Sequence, residues 1–431
     1  MLRQLPTSVT PQQMASLTVP LTDPSAVTFR LLDNKGALVL EKIEGQLAAA
    51  DPSDYTLGQR VDPPWIAHPQ SESDYALRAD FNERLANYDY AKFNYSDGLS
   101  LFPGSPLLSS GFGRLWEVLA NPDAAAAYLS PSAADAETQY YGALARQDPL
   151  ALASVQADPV YGVAASVRMA QILAAGGDSD AGLTALRAVQ SKSARVGAVE
   201  LALLRSLGRS DELADRAAYW AAIDPTDVNI RYELSLLGQD DGGLWPHLAA
   251  DPERILNVAE HLMALGQFAE ALDVLSNGYD NPEASELEPG IPSASGHPLI
   301  WYYRGYCKGK MKLSATAEYQ TAAGLAVKYV FPNRSTTLDV LNAALKVSPN
   351  DSSALWLRGC VLLSMRRTDD AIADWARVRT LRPATPSLHR TLGRTWLDIK
   401  ANKATALPIL QEGLKYEPDN ADLLNTIQRA K

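Results

Sequence analysis

Two cysteines and five histidines in 431 residues leave little material for a disulfide framework or a metal cage. Cys307 and Cys360 fall in separate helical segments, and a buried thiol is the expected state of each. The histidines show no ligand spacing; His261 sits in AEHLMALG, which lacks the second histidine of a zinc-protease helix. No run of about 18 apolar residues occurs, and residues 1–13 lack the basic-then-apolar order of a secretion signal. The expectation is therefore a cytoplasmic chain with no membrane partner. Positive charge is short as well: 39 Lys and Arg stand against 50 Asp and Glu, a formal net charge of −11 with no basic stripe, which argues against nucleic acid. Catalytic signatures are missing too. No glycine-rich phosphate loop follows a strand and no serine sits in a nucleophile elbow. Asp178, Asp180 and Gly182 begin like a calcium loop, but no acidic residue closes the ligand set. Of the acidic pairs, Asp240/Asp241 lies in a Gly-rich loop and Asp369/Asp370 starts a helix, where negative charge complements the dipole. Neither an enzyme nor a bound metal or cofactor is expected.

What is present is a period. Pro349, Pro383 and Pro418 are spaced 34 and 35 residues apart, and the residues between them repeat in type. Counted from Ser352, the best unit has Gly359 at its eighth position, Ala371 at its twentieth, Trp375 at its twenty-fourth and Pro383 at its thirty-second. Gly359 and Ala371 are small where two helices cross closely, Trp375 is expected to plug the gap to the next unit, and Pro383 ends the second helix because it has no N–H to donate. The unit from Pro386 repeats this with Gly393, Ala406, Leu410 and Pro418, with one extra residue around Asn402. This is the period of the tetratricopeptide repeat, a helix–turn–helix unit that stacks on its neighbours. Weaker copies start at Glu72, Gly162, Ala194, Pro252 and Pro298, with degenerate helix pairs at about 105–130 and 135–157. Two stretches, 239–246 and 280–298, interrupt the period, and 334–347 reads as an added helix. The fold class predicted is all-α: a tetratricopeptide-like α-solenoid, a right-handed superhelix of antiparallel helix pairs over residues 71–431, with a small N-terminal β-hairpin segment.

The first residues differ in kind. Short β-rich runs at 17–21, 27–32 and 37–43 make residues 1–47 a β-strand segment, the last two runs flanking the turn Asp33-Asn34-Lys35-Gly36. Such strands are marginal alone. They need the first helices, a β-rich partner or a second copy of the chain. Residues 48–70, rich in Pro and Asp, read as an extended linker with Trp65 and Ile66 pinned to the first repeat.

The segments YVFPNRSTTLDVLNAAL (329–345), PNDSSALWLRG (349–359), DDAIADWARV (369–378) and LHRTLGRTWLDIK (388–400) resemble, in order and spacing, the C-terminal half of a family of large bacterial proteins. In that family an uncharacterised β-rich, mutarotase-like N-terminal region precedes a tetratricopeptide array. The hairpin VTFRLLDNKGALVLEKI resembles the last strands of the β region, and the rest of that region is absent here. The resemblance implies a shortened or split member to which neither the chemistry nor the sugar binding of the missing β region carries over, and the family has no established reaction to supply.

In tetratricopeptide proteins positions 2, 5, 9, 12 and 13 of each first helix face the concave groove. In the last three full units this places Tyr302, Tyr306 and Lys310, then Trp356, Cys360 and Ser364, then Arg390, Arg394 and Asp398 along it. Aromatic and Arg side chains side by side have the composition of an interaction hot spot. Arg390 and Arg394, one helical turn apart, have the reach to grip a carboxylate. The expected function is a non-enzymatic protein-interaction scaffold binding a protein or peptide segment through Tyr302, Tyr306, Lys310, Trp356, Arg390 and Arg394. The alternative is an accessory piece of a carbohydrate-associated protein, in which Tyr and Trp stack on sugar rings.

Overall fold

A computed structural model describes residues 27–32, 38–44, 68–129, 135–240, 243–279 and 292–431. Near the N-terminus, strands Val27–Leu32 and Leu38–Glu44 pair antiparallel, Val27 opposite Glu44 and Leu31 opposite Leu40, with a register shift between Leu31 and Leu32. The expected run at 17–21, the hairpin turn, and Trp65 and Ile66 lie outside the described residues. The strand pair belongs to one compact unit, residues 1–59, and the helices to a second, residues 60–431.

The second unit is a solenoid of helix pairs: the described residues contain 22 α-helices, the first beginning at Glu72. First helices start at Glu72, Gly162, Ala194, Pro252, Pro298 and Ser352, as the sequence ruler places them. Six pairs share one turn. Three residues separate the two helices, and the middle one, Ala86, Ala120, Gly177, Gly208, Gly266 or Arg366, has positive φ. The third residue's N–H then donates to a carbonyl five residues back, as Arg367 does to Leu362 (2.8 Å) and Gln267 to Leu262 (3.0 Å). This left-handed C-terminal turn satisfies carbonyls that the helix end leaves open, and it reverses the chain so that the second helix packs back along the first.

In the C-terminal pairs a small residue faces a large one. A Cβ on Gly359 would stand 2.3 Å from the Trp375 indole nitrogen, one on Gly305 2.4 Å from Tyr319, and one on Gly393 2.4 Å from Leu410. Trp375 therefore lies on the first helix of its own unit, not only toward the next one as expected. Gly359 bares the helical backbone enough for the Trp375 N–H to reach the Trp356 carbonyl at 3.2 Å. Both tryptophans are buried in the core. The extra residue in the following unit is also accommodated differently from expectation. Instead of lengthening the turn, it forms a π-helical end at Thr395–Ile399, where Lys400 N–H donates to Thr395 and Asn402 N–H to Trp396.

The interruption predicted at 239–246 is partly helical. Val228–Leu236 and Leu244–Ala249 form a shortened pair, so the next first helix begins at Pro252, 24 residues after Val228 instead of about 34. With so short a spacer, Pro252–Ala264 packs against Val228–Leu236 and also touches Gly162–Ala175. Gly266 sits so close that a Cβ there would be 2.8 Å from the Ala175 Cα. The helix expected at 334–347 is present as Thr336–Val347, and Tyr303 ties it down by a 2.8 Å hydrogen bond to Thr337.

Candidate functional site

The residues predicted to line the groove divide into buried and accessible sets. Tyr302 is fully buried, and its hydroxyl donates to Asp351 at 2.8 Å. Asp351 in turn caps helix Ser352–Ser364 by accepting from the N–H groups of Ser353 and Ala354. Tyr302 thus fastens one unit to the next, and burial holds its phenol above the usual range. Trp356 is 7% exposed and tilts against Trp375 with ring centroids 5.8 Å apart. Neither side chain offers a face to a ligand. Their places in the pattern coincide with groove positions, but apolar packing between units has taken both.

Tyr306 and Lys310 remain at the surface. Tyr306 is half-buried, with Phe268 edge-on at 6.4 Å; the exposed Lys310 ammonium lies 5.1 Å from the Tyr306 centroid and 6.0 Å from that of Phe268. Burial raises the Tyr306 phenol to about 12, aided by the Asp339 charge. Asp339 is itself raised by burial, an effect that Lys310 and Lys346 oppose. Two aromatic rings, two lysines and one carboxylate thus share one neighbourhood. A cation set over aromatic faces can hold a carboxylate while the rings take apolar groups.

Arg390 and Arg394 follow one another along the last first helix, each with an acidic partner. Arg390 donates to Asp422 at 2.7 Å, and Arg394 to Asp398 at 3.4 Å, a carboxylate also held by Arg429. The Arg390–Asp422 pair faces solvent and is of low strength, whereas Asp398 is largely covered between Arg394 and Arg429. The cysteines are free, and burial pushes both thiols to about 12, so neither is a ready nucleophile.

Other polar residues of the inner helices escaped the sequence reading. Arg205 donates to Glu233 (2.8 Å), Gln267 (2.7 Å) and Glu270 (3.3 Å), while Gln267 donates to the Ala202 carbonyl, so the middle of the array is knitted across the shortened pair. Farther along, Arg334 reaches Glu253, Asn257 and Glu260. A third cluster centres on Glu200, which accepts from Arg187, Arg216 and the Trp220 N–H. Burial would raise its carboxyl, but those hydrogen bonds outweigh it and hold it below the usual range. One signal was available: Glu200 stands alone in the apolar run AVELALL, and a carboxylate there must be paired. Among the described residues no group of three His, Cys, Asp or Glu side chains converges as a metal site, and no helix is long and apolar enough to cross a membrane.

No protein-family model and no curated protein matches the chain. Solved structures of repeat proteins do. YrrB, a tetratricopeptide protein described as having an unusual peptide-binding site, is 16% identical with a TM-score of 0.22, over 55% of this chain and 93% of that one. MamA is 16% identical with a TM-score of 0.21, over 51% and 94%; the Cut9–Hcn1 structure gives 14% and 0.27, over 86% and 78%. The fold rests on the helix pairs described above. The chain is a tetratricopeptide-like α-solenoid.

Proposed function

We propose that the array is a non-enzymatic protein-interaction scaffold that takes a partner segment on the inner surface of its C-terminal part. The observation that carries this reading is the exposed Lys310 beside Tyr306 and Phe268. Charge distribution supports an acidic partner: residues 297–431 hold 20 Lys and Arg against 11 Asp and Glu, whereas residues 1–296 hold 19 against 39. A segment with acidic and apolar side chains fits, its carboxylates meeting Lys310, Arg390 and Arg394 and its apolar groups meeting the rings. The carbohydrate reading is left with one of its three aromatic platforms, Tyr306, because Tyr302 and Trp356 are core residues. The test is co-purification from the native cell with mass spectrometry, comparing wild type with a Tyr306→Ala/Lys310→Glu variant of unchanged circular dichroism. A partner retained by wild type and lost from the variant supports the reading; identical sets of retained proteins overturn it.

The strand pair supports a second contact. Two strands leave both outer edges without a partner strand among the described residues, and such edges recruit another strand unless covered. Deleting residues 1–48 should abolish association with a β-rich partner or second copy and leave the helical array folded; loss of helical cooperativity on deletion would instead make the strands an internal cap.

A further inference from the structure

The array returns on itself. Lys92, in the second helix of the array (Tyr88–Leu101), donates to the Arg366 carbonyl at 2.9 Å, across 274 residues of sequence. In the opposite direction Arg367 reaches the Ala120 carbonyl at 3.5 Å, and Ala120 packs against the apolar core of the C-terminal units. Both acceptors are the same structural element. Ala120 follows the end of helix Pro106–Val118 and Arg366 that of helix Ser352–Ser364, each the left-handed residue of its turn, with φ of 52° and 55°. A carbonyl at that position lies beyond the helical ladder and at the negative end of the helix dipole, so a cation is its natural partner. The contact is thus reciprocal: each end of the array supplies a cation to a helix C-terminus of the other.

Between the two stretches lies a cavity of about 300 Å³ whose lining mixes Asp89, Asn121, Asp369 and Lys400 with the apolar Trp116 and Ile399. Lys92 is also held by Asp89 (2.8 Å) and lies 5.5 Å from the Trp116 ring centroid, and Arg367 is held by Asp370 (2.9 Å). Each cation therefore has a resting partner on its own side when the ends part. Charge contacts at a wet joint are screened by salt, unlike the packed crossings within each pair.

We propose that this joint is a reversible electrostatic latch that closes the solenoid into a ring, and that its opening regulates access to the inner surface. The existence of the latch is independent of the scaffold reading; only its purpose rests on it. Small-angle X-ray scattering of the full chain at about 0.01 M and about 1 M salt, where the Debye length is about 30 Å and 3 Å, tests it. The radius of gyration of wild type should rise with salt. A Lys92→Glu/Arg367→Glu variant should be expanded already at low salt, with unchanged far-ultraviolet circular dichroism. Should that variant lose helix, Lys92→Met, which keeps the apolar stem and removes the donor, carries the same expectation. A wild-type radius independent of salt, or a folded variant as compact as wild type at low salt, overturns the latch.

Discussion

The C-terminal units and the middle of the array use the same packing chemistry over different reaches of the chain. From Pro298 onward a glycine on one helix receives a large side chain from the other, Gly305 with Tyr319, Gly359 with Trp375, Gly393 with Leu410. Between Gly162 and Ser276 that pattern survives in Gly197 against Trp220, and both regions bury carboxylates against cations: Glu200 between Arg187 and Arg216 and Glu233 beneath Arg205 in the middle, Asp374 beneath Arg358 and Glu318 beside Lys308 farther on. The shortened pair explains part of the difference. It brings helices from non-adjacent units together, and polar side chains trapped there must find partners. Buried charge pairs thus accompany the regular and the broken period alike; what the broken period adds is polar contact between non-adjacent units, as where Arg205 reaches Gln267 and Glu270.

The comparison is broken most severely at Glu200. Glu200→Ala strands Arg216 and the Trp220 N–H and leaves Arg187 to Glu212 alone, and should cost about 3 kcal/mol, read as a lowered urea midpoint. A cost below about 1 kcal/mol would show that water replaces the carboxylate.

Acid should weaken the middle region through His261. Burial lowers the His261 pKa from 6.5 to about 4, and the Arg195 and Arg205 charges lower it further, against a hydrogen bond donated to the Ala198 backbone carbonyl that raises it. With the folded value below the unfolded one, the unfolded chain takes up the proton first. Stability is full above about pH 6.5, falls as pH drops toward about 4, and loses up to about 3 kcal/mol over that window. His297, also lowered to about 4 by burial, acts in the same direction. His261→Leu should flatten the slope of stability against pH between those values; an unchanged slope would mean that His261 is protonated in the fold.

At the regular crossings, Gly393→Leu should cost about 1–3 kcal/mol through overpacking against Leu410. The turns give the smallest effects. Ala86→Gly should add about 1 kcal/mol by relieving a left-handed backbone, and Gly177→Ala should lose about as much, since nothing crowds its Cβ. Gly266→Ala should lose more than Gly177→Ala because Ala175 stands in its way. Equal losses at the two glycines would remove the close approach produced by the shortened pair.

The helix starts were legible because the 34-residue ruler counts positions and does not depend on propensity. Gly177, Gly208 and Gly266 announce their turns, whereas Ala86, Ala120 and Arg366 adopt the same left-handed geometry with no such mark. The site was half legible. Repeat position identified Tyr306 and Lys310 alike with Tyr302 and Trp356, but accessibility depends on the neighbouring unit: Asp351 draws in the Tyr302 hydroxyl and Trp375 covers Trp356. The ring joint left no trace in sequence, because its acceptors are backbone carbonyls and its donors are two ordinary surface cations.

The account stands on the register that sets Gly359 beneath Trp375, and a double-mutant cycle on that pair tests it most directly. Gly359→Leu alone should overpack the crossing and Trp375→Ala alone should leave a cavity, while together the new leucine fills the space the indole vacates. The double variant should therefore be more stable than the sum of the single losses predicts, by more than about 0.5 kcal/mol in urea unfolding. Additivity within that margin would show that the two residues do not meet and would contradict the register.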